Sequence, residues 1–139
     1  MKLEVFALCD SASDYGGKLC LLGILDQIRA KESPILIAHC ALAVRMRFHR
    51  IEEGRHKLVA TISNEDGKHV VPKIEADMVV NLGDRAQTAA VNLVLAINGL
   101  KLPEFGEYSI DLAMDGAHLG ALPLYCLLAT PPPTAEGAA

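Results

Sequence analysis

Gly99-Leu100-Lys101-Leu102-Pro103-Glu104-Phe105-Gly106-Glu107-Tyr108-Ser109-Ile110-Asp111-Leu112-Ala113-Met114-Asp115-Gly116 is the stretch that decides the fold. Pro103 and Gly106 make a corner, strict alternation follows, and Asp115-Gly116 closes the run with a turn signal. Tyr108, Ile110, Leu112 and Met114 fall on one side, and Ser109, Asp111 and Ala113 on the other. That is the period of two expected of a strand with one face buried. A Gly two residues ahead of a Tyr at a strand start resembles the tyrosine corner of immunoglobulin-like sandwiches, where the phenol bonds back to upstream backbone. The expected fold class is all-β: an antiparallel β-sandwich, immunoglobulin-like or a related Greek key.

Working outward, Thr88 to Leu100 alternates in the same way, with Ala89, Val91, Leu93, Leu95 and Ile97 against Thr88, Ala90, Asn92 and Asn98. After Asp115-Gly116 the chain returns through Leu119 to Leu128. A two-residue turn and a three-residue bulged turn both fit, and they turn opposite faces of this last strand inward. Ile35 to Arg50 reads as the longest strand, with Leu42, Val44, Met46 and Phe48 inward and Ala43, Arg45, Arg47 and His49 outward. Glu52-Glu53-Gly54 suits a hairpin loop, pairing Phe48 with Leu58, Met46 with Ala60 and Val44 with Ile62. A second turn, Asn64 to Lys68, sets Leu58 opposite Ile74 and Ile62 opposite Val70. The same register places Lys57 opposite Glu75 and Arg55 opposite Asp77, favourable cross-strand charges. Pro72 cannot donate to a ladder, so the strand that follows is expected at an edge.

At the other end, Leu3 to Asp10 reads as a strand and Ser11 to Gly17 as a loop. Lys18 to Ile28 is apolar almost without alternation, with Gly23 marking a bend. Such a run is either a central strand covered on both sides or one strand of a subunit interface. About eight strands result, with turns at sandwich spacing. The chain is expected to form one domain over residues 1–129, followed by a disordered Pro/Ala-rich tail over 130–139.

The composition narrows function by exclusion. The 139 residues are 51% apolar with no Trp, three Phe and three Tyr, and mean hydropathy is +0.27. A core built from aliphatic side chains, with apolar surface to spare, points to homo-oligomerisation. A net charge of −4 argues against a general nucleic-acid binder, which needs cations to neutralise phosphates. No apolar run approaches the ~20 residues that span a bilayer. The opening Met1 to Asp10 is too short and acid-interrupted for a signal peptide. Cytoplasmic location and reduced thiols are the expectation for Cys9, Cys20, Cys40 and Cys126, which form no Cys-x-x-Cys pair.

Motifs that would carry chemistry are incomplete. Gly16-Gly17-Lys18 is followed by Leu19 where a phosphate loop needs Ser or Thr. Asn64-Glu65-Asp66-Gly67 lacks the ligand alternation and distant Glu of a calcium loop. His49 and His56 face opposite ways, and no other histidine pair has metal-ligand spacing. Glu107 and Asp111 share an outward face without an aromatic sugar platform. No catalytic residue, cofactor or metal is assigned. The surface singled out is Arg45, Arg47 and His49, where the hairpin leaves the two arginines facing Thr61 and Val59 rather than acids. Unpaired guanidinium groups on a sheet face suit a carboxylate-bearing protein partner or an anion.

Ala7-Leu8-Cys9-Asp10, Gly16 through Asp26, Asn92-Leu93-Val94-Leu95 and Leu102 through Tyr108 occur in an order that resembles a family of small bacterial proteins known only as a domain of unknown function. The resemblance spans most of the chain up to Leu128 and brings no activity, cofactor or catalytic residue. The functional expectation is a non-catalytic β-sandwich module acting by self-association or protein binding. The alternative is a small-molecule binder or enzyme with a pocket between sheets or subunits.

Overall fold

The computed structural model describes residues 1–84 and 86–129, so the expected tail lies outside them. Nine strands form among the described residues: β1 (Lys2–Tyr15), β2 (Lys18–Ile24), β3 (Gln27–Ala30), β4 (Ile35–His49), β5 (Gly54–Ser63), β6 (Ile74–Val80), β7 (Thr88–Leu102), β8 (Gly106–Met114) and β9 (Ala117–Leu128). They build one sheet in the order β2-β1-β4-β7 and a second in the order β3-β9-β8-β5-β6. Pairings are antiparallel except β3 with β9. The sandwich expectation holds.

The inward rows read from alternation are the core. Leu42, Val44, Met46 and Phe48 of β4 are fully buried, as are Leu58, Ala60 and Ile62 of β5 and Ile110 and Leu112 of β8. Tyr108 is buried, and its hydroxyl donates to the Glu104 carbonyl at 2.7 Å and accepts the Glu104 N–H at 3.1 Å. One phenol thereby satisfies both backbone groups of the corner residue four positions upstream.

The expected hairpin between β4 and β5 is not formed. β4 pairs with β1 and β7, whereas β5 pairs with β6 and β8. A 3₁₀ turn at Arg50–Glu52, then Gly54 at φ 125°, carries the chain from one layer to the other. Alternation specifies which side of a strand is buried, and a strand facing the same core from the opposite layer satisfies it equally well. Phe48 and His56 accordingly stack, with ring centroids 5.1 Å apart.

Three further expectations are corrected. Ser11 to Tyr15 is strand, not loop, and the hairpin β1–β2 closes on Gly16-Gly17 alone, both at positive φ. The apolar run Lys18–Ile28 is not a central strand. β2 ends one sheet and β3 the other, and the chain changes layers at Leu25-Asp26. There Leu25 N–H donates to Leu8 at 2.9 Å, and Asp26 carbonyl accepts Tyr125 N–H at 2.8 Å, in opposite layers. The β5–β6 register holds near the turn, where Val70 N–H bonds the Ile62 carbonyl. It slips by two residues past Pro72, so Leu58 faces Ala76. β6 is an edge strand, as Pro72 implied. The last hairpin uses the two-residue turn Asp115-Gly116, followed by a bulge after Leu112/Ala113 that shifts the register by one.

Candidate functional site

The arginine face is assembled by an extra residue in the first strand. The β1–β4 register shifts between Leu3 and Val5, so Glu4 sits in a β-bulge, which re-aims a side chain and bends its strand. Its carboxylate lies between both arginines. Arg45 Nε donates to Glu4 Oε1 at 3.0 Å and Arg47 Nε to Oε2 at 2.8 Å. The reading of Arg45 and Arg47 as unpaired is thus corrected: their partner comes from β1, and Thr61 and Val59 lie in the other sheet. Arg47, and then Arg45, hold the Glu4 carboxyl below its ordinary range, and Glu4 raises Arg47 in return.

This ion cluster also reaches across β7. Arg45 Nη1 donates to Asn92 Oδ1 at 2.8 Å and Arg47 Nη1 to Thr88 Oγ1 at 3.1 Å. Asn92 Nδ2 donates onward to the Gly17 carbonyl at 3.1 Å. The tip of the β1–β2 hairpin is thereby fastened over the outer face of its own sheet. Ala12, Leu19 and Leu21 of the hairpin cover Cys9, Ala41 and Ala43. His49, exposed at the end of β4, is not part of this cluster: its backbone N–H donates to Glu52 Oε1 at 2.9 Å, and Glu52 pairs with the Met1 amine instead of either arginine. A partner binding here would compete with Glu4 for the guanidinium groups.

A carboxylate–imidazole pair that sequence reasoning missed lies at the β8–β9 turn. His56 Nδ1 is 2.6 Å from Asp115 Oδ2, and Nε2 is 2.6 Å from the Glu52 carbonyl. Asp115 Oδ1 also accepts the Lys57 N–H at 2.8 Å. The pair borders a concavity of about 420 Å³ with Arg55, Asp77, Met78 and Val79. The Glu52 carbonyl and then the Asp115 carboxylate raise His56. The Lys57 N–H and then His56 lower Asp115. Both ring nitrogens face acceptors, so the favoured species is imidazolium with both protons engaged. In that form the ring has no lone pair to offer as a general base. The signal was present, since Asp at the first position of a two-residue turn leaves a carboxylate beside the adjacent strand.

Other candidates are occupied by local structure. Asn64 Oδ1 accepts the N–H groups of Asp66 and Lys68 at 3.0 Å each, which makes this loop a turn. Asp111 accepts Ser109 Oγ at 3.1 Å and lies 3.2 Å from His118 Nε2. Burial pushes the Cys40 and Cys126 thiols up to about 11, far from a reactive thiolate. No group of three His, Cys, Asp or Glu side chains that could hold a metal occurs among the described residues. No helix among them is long and apolar enough to cross a membrane.

The exposed surface of the hairpin is different in character. Leu19 and Leu21 point down onto the sheet, so Cys20, Leu22 and Ile24 point out. Leu22 is 71% and Ile24 68% exposed, with Tyr15 at 77% near the turn. β2 is the last strand of its sheet, so this apolar row runs along an open backbone edge.

The family model described as "Family of unknown function (DUF6941)" matches residues 4–127, and the chain belongs to that family. No curated protein matches it.

Proposed function

We propose that the protein is a non-catalytic cytoplasmic module that acts by self-association, the β2 edge of one copy meeting that of another. One observation carries this: Cys20, Leu22 and Ile24 are exposed together on the outermost strand of a sheet. Such a strand keeps apolar area in water, at roughly 25 cal/mol for each Å², and presents backbone groups without a ladder partner. A second strand laid along it relieves both. The 51% apolar composition supports the same reading, and four free cysteines suit a reducing compartment.

Multi-angle light scattering tests this directly. The wild type is expected to dimerise as its concentration rises, whereas Leu22→Arg or Ile24→Lys stays monomeric with an unchanged circular dichroism spectrum. A wild type that remains monomeric at every concentration overturns the proposal.

A further inference from the structure

We infer that two copies meet antiparallel along β2 with Leu22 of one facing Leu22 of the other, joining two four-stranded sheets into one continuous sheet. This rests on the self-association reading above and adds the geometry of the contact. Antiparallel pairing brings residues of the same face opposite one another, and a two-fold axis makes the pairing reciprocal. With Leu22 on that axis, Cys20 faces Ile24 of the second copy. Each residue of the exposed apolar row then has an apolar cross-strand neighbour.

Charge selects the same register. Lys18 opens the strand and Asp26 follows its end; both are exposed, and neither belongs to an ion pair among the described residues. The Leu22 axis carries Lys18 past the end of the second copy's β2, to the bend at Asp26 where that chain leaves the sheet, twice per dimer. Moving the axis to Leu21 would set Lys18 against Ile24, and moving it to Cys20 would set Lys18 against Leu22. Either shift faces an ammonium with an apolar side chain and leaves more of the row in water.

The backbone allows the approach. The two-residue turn makes Tyr15 and Lys18 the closing pair, so alternation directs the N–H and C=O of Leu19 and Leu21 away from β1. In the inferred register Leu21 lies opposite Gly23 of the second copy, a left-handed residue at φ 72° packed against Asp10 of its own chain that presents no side chain to the edge.

Disulfide trapping reads the register. In a Cys20→Ser background, Leu22→Cys places two thiols at the axis, with Cα atoms about 4.5–5.5 Å apart, within bonding reach. Mild oxidation is expected to convert it to a covalent dimer. In the wild type the two Cys20 residues sit four positions out of step, roughly 13 Å apart along the strands, and stay unlinked. Ready cross-linking through Cys20, or none through Leu22→Cys while light scattering still reports a dimer, overturns this register and leaves self-association standing. A monomer by light scattering removes both. As a second measurement, Lys18→Glu or Asp26→Lys alone is expected to weaken the dimer about tenfold, and the two together to restore it. A double variant as weak as the singles overturns the charge pairing.

Discussion

Two hairpins in this chain close on the same kind of turn and end in opposite surroundings. At the β1–β2 turn Gly16 and Gly17 have φ of 58° and 81°; at the β8–β9 turn Asp115 and Gly116 have 51° and 83°. Both are the doubly left-handed turns that match strand twist. β8 lies in the middle of its five-stranded sheet, and its turn carboxylate is anchored by Lys57 N–H and His56. β2 has a neighbour on one side only, and its turn is held by the Asn92 amide and by Asp14, whose Oδ1 accepts the Gly17 N–H, both near the surface. The turn dictates the reversal; lateral neighbours dictate whether the hairpin becomes core or rim.

The sharpest way to break this contrast is truncation on each hairpin. Ile110→Ala on β8 is expected to cost about 2–5 kcal/mol, and Leu22→Ala on β2 less than about 0.5 kcal/mol, by urea unfolding of dilute protein. Comparable losses would mean the rim hairpin is packed as tightly as the centre.

Tyr108→Phe comes next. It leaves the Glu104 N–H and C=O without the hydroxyl and is expected to cost about 1–3 kcal/mol, read by the same melts. A neutral outcome would make the corner ornamental.

A smaller effect separates the two turns by pH. His56 is raised on folding from an ordinary value of 6.5, so its contribution is complete below that value and fades as pH rises through the folded one. Asp115 is lowered from 3.8, so its contribution is present above that value and fades as acid takes pH through the folded one. Stability from this turn therefore peaks between the two. His56→Gln is expected to flatten the fall in thermal midpoint between neutral and mildly alkaline pH, which a Gly17→Asn change should leave alone. The smallest expected effect is Glu4→Gln, which lowers the midpoint at low salt by an amount that shrinks as salt is added. A loss insensitive to salt would point to the bulge backbone instead of the charges.

How far the fold was legible follows from what alternation encodes. The rows on β4, β5 and β8 were readable because a buried face repeats every second residue. Which rows lie side by side was not, because Phe48 and Leu58 satisfy the same pattern from opposite layers. The arginine face failed for a related reason. Glu4 occupies an even position beside inward Phe6 and Leu8, and only the bulge turns it out toward Arg45 and Arg47. Nothing in the local composition marks that bulge. The exposed β2 row was half legible: its lack of alternation announced two apolar faces, and the covering of one by Ala41, Ala43 and Cys9 needed the hairpin to fold back.

The crossing at Leu25-Asp26 has a mechanical consequence. Adjacent peptide groups are bonded into separate layers there, to Leu8 in one and Tyr125 in the other. A pull delivered along β2 would therefore load both sheets in shear at the same point instead of peeling a rim strand free. The weakest-looking border of the molecule is riveted at its far end.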